Sequence, residues 1–227
     1  MQRIDNALIW EEIFTNKEWG KYPSISLVRF IASKFYKVRD QQQIRILEIG
    51  CGPGGNLWYM AREGFKVTGI DFSATARDLL QDRFLRDGLT GQLESFLIGN
   101  YQDELPKLED EYFDAIVDVE SLYCNSFEDS KEIIENCLRK VKKDGYLFSQ
   151  TFTDTSWGFN SKEVGYHQVI PTEGPAANTG LCRFTSEEDI YRLYENEKCK
   201  IESVEKLELL LANGERISEW IIVAKKL

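Results

Sequence analysis

The 227-residue sequence predicts an α/β fold: a doubly wound, mostly parallel seven-stranded sheet that ends in an antiparallel C-terminal hairpin. Two observations predict it. Five short apolar runs alternate with stretches in which apolar residues have helical spacing, which is typical of a parallel sheet with helices on its faces. The last two apolar runs flank Asn213 and Gly214, and an Asn-Gly pair in this setting is a strong hairpin signal.

Each element is expected from its apolar spacing and its end signals. In chain order, the strands are predicted at residues 44–49, 66–70, 93–98, 113–118, 146–152, 200–211 and 215–224. The helices are predicted around residues 5–17 and 24–38, from 56 to 63, from 73 to 88, from 126 onwards and from 185 onwards.

Capping residues indicate where these helices begin and end. Ser24 can cap the second helix, and Gly64 can stop the short third one. Thr185 and Glu188 have the spacing of a capping box for the last helix. In the helix that opens at residue 73, the apolar stripe predicts that Leu79 is buried.

The chain is expected to form a single domain over residues 1–227, since a length of this order suits one α/β core. Residues 1–40 are interpreted as an N-terminal helical cap. Residues 153–184 are rich in Gly, Pro, Thr and Asn, and a connector that long inside a compact domain is usually functional. We therefore predict that it is a substrate lid.

Charge and cysteine usage limit the partners. The formal net charge is −10 and no long basic run is present, so nucleic acid is not expected as a partner and a small-molecule substrate is favoured. Five scattered cysteines without a C-x-x-C pair indicate reduced thiols and a cytoplasmic location. A lone histidine with dispersed cysteines lacks the ligand spacing of a metal site.

Membrane association is not expected either. The first residues lack the layout of a signal peptide, and no apolar run approaches the ~18 residues of a membrane span. The apolar strand before the hairpin turn could be part of the core or the edge of a dimer. The sequence therefore leaves a monomer and a homodimer open.

A glycine-rich turn follows the first strand. Gly50, Gly52 and Gly55 satisfy G-x-G-x-x-G, which could indicate a dinucleotide site. Glu48 ends the strand before the turn, and a carboxylate beside a pyrophosphate is electrostatically costly. S-adenosylmethionine carries a cationic sulfonium and an ammonium and no phosphate, so Glu48 favours it over a nicotinamide dinucleotide.

The rest of the turn suits the same cofactor. Glycines 50, 52 and 54 would let the backbone approach the methionine moiety, and the free amides of the following helix can receive its carboxylate. Asp71 ends the second strand about twenty residues later and could accept hydrogen bonds from two ribose hydroxyls. Asp71 could also cap the next helix, and the glycines could simply make a tight turn.

Several motifs in order carry a resemblance to a known family. "LEIGCGPGG" followed by "VTGIDFS" resembles motifs one and two of class I S-adenosylmethionine-dependent methyltransferases of the small-molecule type. "LIGNY", "FDAIVDVESLY", "LRKVKKDGYLF" and "FTSEEDIYRLYE" resemble later segments of that family, so the likeness extends over nearly all of the chain from residue 44. The resemblance implies a Rossmann-like methyltransferase fold with the last strand inserted antiparallel.

The resemblance also implies site residues. Asn100 would lie near the adenine amine and Tyr101 near its ring, although both could be ordinary loop residues. Asp118, Val119 and Glu120 would line the methionine end. Further cofactor contacts are expected in the first two motifs, at Cys51, Asn56 and Phe72.

Aromatic residues ahead of the second helix are a further candidate. Trp19 and Tyr22 could cover the sulfonium by cation–π contact, or could pack that helix against the sheet.

The catalytic base is left open. Where small-molecule members of the family often carry a histidine, this chain has Tyr123 followed by Cys124. His167, in the predicted lid, is suited to accept a proton near neutral pH but could be a bystander. Glu120, Tyr123 and His167 are the candidates.

The function expected from these residues is transfer of a methyl group from S-adenosylmethionine to an O, N or C nucleophile of a small molecule. Three alternatives stay open. The chain could be a methyltransferase acting on protein or RNA, an NAD(P)-dependent enzyme, or a module that binds the cofactor without catalysis.

Overall fold

The computed structural model describes residues 5–159 and 162–227; those parts of the predicted cap and lid that fall on residues 1–4 and 160–161 lie outside the described residues. The helices are α1 (Asn6–Asn16), α2 (Ile25–Phe35), α3 (Gly55–Arg62), α4 (Ala74–Arg86), α5 (Tyr101–Glu104), α6 (Phe127–Lys140) and α7 (Glu187–Tyr194). The strands are β1 (Arg45–Ile49), β2 (Lys66–Asp71), β3 (Leu93–Ile98), β4 (Phe113–Val119), β5 (Val141–Phe152), β6 (Glu163–Gly165), β7 (Gln168–Val169), β8 (Cys182–Arg183), β9 (Cys199–Leu210) and β10 (Arg216–Lys226).

Seven strands form the main sheet in the order β3-β2-β1-β4-β5-β10-β9. The first five of these run parallel, and β10 pairs antiparallel with both β5 and β9. The chain turns back from β9 to β10 at the predicted hairpin, where Gly214 has a φ of +86°. The predicted sheet, including its antiparallel C-terminal hairpin, is therefore present.

The strand order reverses next to β1. The chain first builds outward from β1 to β2 and β3, and then returns to place β4 on the other side of β1. In open α/β sheets, the crevice at the carboxyl ends of the strands on either side of such a reversal is where ligands bind. The turn after β1 and the end of β4 both lie at this crevice.

The core consists of two layers, one on each face of the sheet. In β1, Ile46 belongs to the layer that includes Leu27 of α2 and Leu57 of α3, whereas Leu47 belongs to the layer that includes Ile134 of α6. Successive residues of a strand point to opposite faces, so both faces of β1 are buried. The sheet is accordingly doubly wound.

Most helix starts follow the sequence signals, with one shift. Ser24 caps α2 as predicted, since its side chain accepts a hydrogen bond from the Ser26 N–H. The capping box of α7 is one residue later than predicted: it is formed by Ser186 and Asp189. Thr185 is instead held by the end of β5, donating its N–H to the Phe152 carbonyl oxygen.

Two further expectations are corrected by packing. Leu79 of α4 is 45% exposed, because the buried face of this helix runs through Ala76, Leu80 and Phe84. β5 begins at Val141, which pairs with Phe113, and not at residue 146. Residues 142–145 bulge before regular pairing resumes at Ala115, and a bulge of that kind carries no alternating apolar signal.

The long connector 153–184 contains a small sheet of its own, in the order β6-β7-β8. Val169 and Cys182 are fully buried there and pack in one cluster with Tyr123 and Phe152. This part of the connector is therefore anchored to the crevice side of the main sheet. Its role as a substrate lid stays a prediction.

Candidate active site

A cavity of about 340 Å³ lies at the carboxyl ends of β1, β2 and β4. Its walls come from the turn after β1, the segments after β2 and β4, α1, and the chain between α1 and α2. It is lined by Asn6, Trp10, Phe14, Trp19, Gly20, Tyr22, Pro23, Ser24, Glu48, Gly50, Cys51, Gly52, Pro53, Gly55, Asn56, Asp71, Phe72, Tyr101, Val119, Glu120, Ser121, Tyr123, Cys124 and Asn125.

The glycine turn presents bare backbone to this cavity. Gly50 and Gly52 have φ values of +65° and +49°, which residues with a side chain adopt at a cost. A Cβ at Gly50 would overlap the Ser121 side chain and come within 2.6 Å of Tyr101 Oη. Gly50 is thus required both by the backbone conformation and by the close approach of its neighbours.

Gly54 and Gly55 have different places in the turn. Gly54, predicted to contact the cofactor, does not line the cavity; it has a φ of +77°, and a Cβ there would overlap Leu80 of α4. Gly55 does line the cavity, and a Cβ there would overlap the Gly20 carbonyl oxygen. Gly54 therefore allows α3 to pack on α4, and Gly55 lets the chain after α1 cross the turn.

Glu48 is the most unusual acid of the cavity wall. It is 1% exposed, Asn56 Nδ2 donates to its Oε1 at 2.6 Å, and its Oε2 has no hydrogen-bond partner. Burial raises the pKa of this carboxyl to about 8, the Asn56 hydrogen bond opposes the rise, and the nearby Asp118 and Asp71 charges add to it. A positively charged ligand group would restore the ionised form.

Asp71 holds the turn to the end of β2. Its Oδ2 accepts a hydrogen bond from the Gly52 N–H at 2.8 Å and its Oδ1 accepts one from the Ser73 N–H at 2.9 Å. Burial raises its pKa, against these backbone hydrogen bonds. Each carboxylate oxygen can accept more than one hydrogen bond, so Asp71 can hold the turn and still accept from a ligand.

The predicted adenine-end residues separate into two groups. Phe72 and Tyr101 line the cavity together, with ring centroids 6.0 Å apart. Asn100 is exposed, does not line the cavity, and donates from Nδ2 to Asp103 Oδ2 at 3.1 Å. The structure thus places Tyr101 at the cavity and turns the Asn100 side chain towards the first turn of α5.

Asp118 is also turned away from the cavity, whereas Val119 and Glu120 line it. Asp118 Oδ1 accepts hydrogen bonds from the backbone N–H groups of Ser121 and Leu122 at 3.0 and 2.9 Å, and Ser149 Oγ donates to its Oδ2 at 2.5 Å. Because burial removes it from water, the pKa of Asp118 is raised despite these bonds. Its place in the structure is that of a buried brace for the segment after β4.

Glu120 lines the cavity beside a second carboxyl group, that of the buried Glu219. Gln150 Nε2 lies 3.3 Å from Glu120 Oε1 and 3.0 Å from Glu219 Oε2. Burial, followed by the hydrogen bond and charge of Glu219, raises the pKa of Glu120 well above its usual range. Glu120 has a φ of +55°, a backbone conformation that costs energy for a residue with a side chain.

Tyr123 and His167, the other two catalytic candidates, lie apart. Tyr123 lines the cavity, is 3% exposed and packs edge-on against Phe152, and burial raises the pKa of its phenol. His167 does not line the cavity. Its Nδ1 lies 2.9 Å from Asp189 Oδ2 and its ring stacks on Tyr166 at 4.3 Å, so its contacts fix the connector to the start of α7.

An aromatic wall faces the glycine turn. Trp10 and Phe14 lie one helical turn apart on α1, and Trp19 packs edge-on against Trp10 with ring centroids 5.1 Å apart. The Phe14 ring would lie 3.2 Å from a Cβ at Gly52. Tyr22 also lines the cavity but is 78% exposed, which places it at the rim.

Polar contacts hold α1 in this position. Glu11 accepts hydrogen bonds from Ser73 Oγ and, at 2.6 Å, from Thr75 Oγ1 at the start of α4. At the other end of α1, the Asn6 side chain accepts from the Leu181 N–H at 2.9 Å and donates to the Cys124 carbonyl oxygen. α1 therefore joins the β2 side of the cavity to the connector.

Comparison with known proteins identifies the family. Residues 20–204 match the family described as a methyltransferase domain, a match that covers most of the chain. The chain belongs to this family. The assignment made from the glycine turn and the later motifs, to the S-adenosylmethionine-dependent methyltransferases, is confirmed.

Relatives of this methyltransferase domain include two ubiquinone biosynthesis O-methyltransferases. That of Actinobacillus pleuropneumoniae serotype 7 is 29% identical over 126 residues, which are 56% of this chain and 53% of that protein. That of Pasteurella multocida is 31% identical over 131 residues, with the same two shares. The chain thus spans about half the length of the curated relatives it matches.

Solved structures share its fold. A methyltransferase from Methanosarcina mazei superposes with a TM-score of 0.68 over 82% of this chain and 94% of that one, at 23% identity. The geranyl diphosphate C-methyltransferase of Streptomyces coelicolor, solved with Mg²⁺, geranyl diphosphate and S-adenosylhomocysteine, gives 0.68 over 98% of each chain at 12% identity. At such identities these likenesses show the fold alone, and they confirm the predicted one.

Some residues that line the cavity of the methyltransferase domain, or lie directly behind its wall, are missed by the sequence analysis. Trp10 and Phe14 could have been found from their i, i+4 spacing on the first helix. Ser24 was interpreted only as a cap, and Gln150 and Glu219 only as strand residues. No local signal marks those three, because they are brought together by the start of α2 and by β5 and β10, which are far apart in the chain.

The described residues contain neither a metal-binding cluster nor a membrane-spanning helix. In residues 5–159 and 162–227 of the methyltransferase domain, no group of three or more His, Cys, Asp or Glu residues is arranged to hold a metal ion. Within the same ranges, no helix combines the length and the apolar character needed to cross a membrane.

Proposed function

We propose that this protein transfers the methyl group of S-adenosylmethionine to an O, N or C nucleophile of a small molecule. The observation that carries the proposal is Glu48: a buried carboxyl at the cavity wall with an unpartnered oxygen, next to bare glycine backbone. Burying a carboxyl oxygen without a hydrogen-bond partner costs free energy, unless a bound ligand provides that partner.

The charge of the cavity supports a cationic cofactor. Glu48, Asp71 and Glu120 all line it, and among the described residues no lysine, arginine or histidine does. A phosphate group placed here would meet carboxyls without a compensating cation, which opposes the NAD(P)-dependent alternative. S-adenosylmethionine, when bound, supplies an electrophilic methyl group on a cationic sulfur.

Individual residues fit the parts of this cofactor. Glu48, oriented by Asn56, would accept from its ammonium group, and Asp71 would accept from its ribose hydroxyls. Tyr101 and Phe72 provide the apolar surface for its base. The aromatic wall of α1 would exclude water from the methyl position, which favours a displacement that depends on alignment of nucleophile and methyl.

The enclosure of the cavity favours a small acceptor. A volume of about 340 Å³ lies within the usual range of small-molecule sites. α1 spans from the start of α4 to the connector and covers the glycine turn, whereas a protein or RNA substrate would need an open groove. We place the reaction in the cytoplasm, in keeping with five cysteines that are all free thiols.

Calorimetry of the purified protein tests the proposal. We expect S-adenosylhomocysteine to bind and to raise the melting temperature, and NAD and NADP to do neither. If a nicotinamide dinucleotide bound and S-adenosylhomocysteine did not, the assigned cofactor would be wrong. In the same titration, we expect Glu48→Gln to weaken the binding of S-adenosylhomocysteine. Glu188→Gln, on the exposed face of α7, is its matched control and should bind like the wild type.

A further inference from the structure

The wall of the cavity around Glu120 holds two carboxyl groups to which the proposed cofactor contacts assign no role. Glu120 lines the cavity, and Glu219 is buried against it without lining the cavity. Both carboxyls accept a hydrogen bond from the same amide group, since Gln150 Nε2 lies within 3.3 Å of an oxygen of each. Two carboxyls this close repel each other unless a proton or another cation is shared between them.

A chain of hydrogen bonds fixes the orientation of that amide. Ser24 Oγ lies 2.5 Å from Gln150 Oε1, so the Gln150 NH₂ group must point to the two carboxyls. The Ser24 N–H donates to Asn56 Oδ1 at 3.0 Å, and Asn56 Nδ2 donates to Glu48. The acid pair and Glu48 are thus opposite ends of one polar chain along the cavity wall.

Glu48 gives an independent indication that this wall receives a ligand. Glu48 lines the cavity, and its Oε2 is buried and without a hydrogen-bond partner. A methyl donor bound at the glycine turn would bring its positive groups to Glu48. The Glu120 pair would keep a shared proton as its only compensating charge, because among the described residues no basic side chain lines the cavity.

We propose that the acceptor is a primary or secondary amine that enters as a cation and is held by the Glu120 carboxylate. This inference rests on the proposed function and names the substrate class of the same cavity. Glu120 touches the acceptor and is a catalytic residue; Glu219 and Gln150 act through it and are positioning residues.

The same contact provides the proton transfer that an amine requires. An ammonium nitrogen has no free electron pair, so it must lose a proton before it can attack, and Glu120 accepts that proton. The nitrogen lone pair then forms the bond to the methyl carbon while the methyl–sulfur bond breaks and its electron pair stays on sulfur. The products are a methylated ammonium ion and S-adenosylhomocysteine, and Glu120 releases its proton to solvent.

Paired probes test the charge preference without knowledge of the natural acceptor. Ligand-observed NMR titrations of 2-phenylethylamine and 2-phenylethanol would be made on protein saturated with S-adenosylhomocysteine. The two probes share one skeleton and differ in the charged group. We expect the amine to bind about tenfold more tightly than the alcohol, a difference of about 1.4 kcal/mol.

Variants assign the preference to residues. Glu120→Gln should abolish the difference between the probes and Glu219→Gln should reduce it, while Glu188→Gln keeps the wild-type ratio. Equal affinities, an undetectable amine, or a preference that survives Glu120→Gln would each overturn the proposal. The comparison of the two probes on the wild-type protein tests the proposal even if the variants do not fold.

Calorimetry with S-adenosylhomocysteine on the same samples distinguishes a failure of the proposed function from a failure of the amine acceptor. If the wild-type protein does not bind S-adenosylhomocysteine, the proposed function fails. If it binds S-adenosylhomocysteine but does not prefer the amine, the proposed function stands and the amine acceptor is wrong.

Discussion

The two ends of the cavity are built in different ways. At the cofactor end, the turn after β1 and the end of β2 come from residues 48–71, and backbone amides and glycines make much of the surface. At the other end, the acceptor end, where we propose that the acceptor binds, the side chains of four distant parts of the chain meet: Ser24, Glu120, Gln150 and Glu219.

This difference separates the residues that hold the fold from those that we propose to select a substrate. The glycine turn cannot change without moving its neighbours, because its backbone lies against Ser121, Tyr101 and Leu80. Gln150 and Glu219 are side chains on regular strands, so other residues could stand at those two positions on the same sheet. Glu120 follows the end of β4 with a φ of +55°. We expect the first end to be sensitive to any added atom and the second to respond mainly to changes of charge.

The largest effect is expected for Gly50→Ala. The new Cβ would overlap Ser121 and would require a φ of +65°, so we expect a loss of about 2–5 kcal/mol in unfolding free energy and no S-adenosylhomocysteine binding. Denaturant unfolding and calorimetry measure the two quantities. Gly91→Ala is the control, since a Cβ there has no atom within 4 Å. Equal stability of the two variants would show that the turn tolerates side chains.

Loss of a single carboxylate at the cofactor end should have the next largest effect. Asp71→Ala leaves the Gly52 and Ser73 N–H groups without their acceptor, and Glu48→Gln removes the charge that faces the cofactor. We expect each to weaken S-adenosylhomocysteine binding by about 1–3 kcal/mol, with Asp71→Ala the more costly. Calorimetric affinities that match wild type in both variants would contradict the assigned cofactor end.

The protonation of Glu48 gives a third prediction. With a pKa of about 8 it holds a proton at pH 6, and a bound ammonium group favours its ionised form. S-adenosylhomocysteine affinity should therefore rise between pH 6 and pH 8, by at most about tenfold per pH unit, and Glu48→Gln should flatten this rise. Calorimetry over that range measures it, and an affinity that falls as the pH rises would contradict the assignment.

The same pKa affects the stability of the protein without ligand. Because the folded chain holds a proton that the unfolded chain releases above about pH 4.5, the contribution of Glu48 to stability is lost as the pH rises towards 8. The raised pKa values of Asp71, Asp118 and Glu120 act in the same direction. Denaturant midpoints between pH 5 and pH 8 should fall, and less steeply in Glu48→Gln.

The sequence predicts the residues at one end of the cavity better than those at the other, and the reason is physical. Glu48, Gly50 and Asp71 lie in one continuous unit of strand, turn, helix and strand, so their spacing along the chain fixes their positions in space. Glu219 reaches Gln150 and Glu120 behind the cavity wall only because β10 inserts beside β5, a pairing across nearly seventy residues. Apolar periodicity predicts that such strands exist, but not which of their polar residues meet.

Polar residues that complete their own hydrogen bonds are the main source of error. Asp118 and Asn100 have the residue types and positions of ligand contacts, yet each is turned to donors or acceptors of its own segment. Local hydrogen bonding competes with ligand binding for such side chains, and a sequence shows the residue type but not the outcome.

The aromatic wall tests how far α1 belongs to the cofactor end. Trp10 packs between Phe14 and Trp19, so Trp10→Ala should weaken S-adenosylhomocysteine binding by about 0.5–1.5 kcal/mol and speed its release. Stopped-flow tryptophan fluorescence follows the release. Leu8→Ala, on the exposed side of the same helix, should leave the release rate unchanged. A matching effect of both variants would assign the change to α1 stability and not to the wall.

The smallest effect on catalysis is expected for His167→Ala, because His167 lies at neither end of the cavity. Its Nδ1 lies within hydrogen-bond distance of Asp189 and its ring stacks on Tyr166, so the variant should lose about 0.5–1.5 kcal/mol of stability. Turnover, measured with an acceptor found by transfer of labelled methyl, should stay within about twofold of wild type, since a general base contributes about 10²-fold or more. A hundredfold loss with unchanged cofactor affinity would instead make His167 the base. It would also show that the connector moves over the acceptor end during the reaction, because in the present structure the ring does not line the cavity.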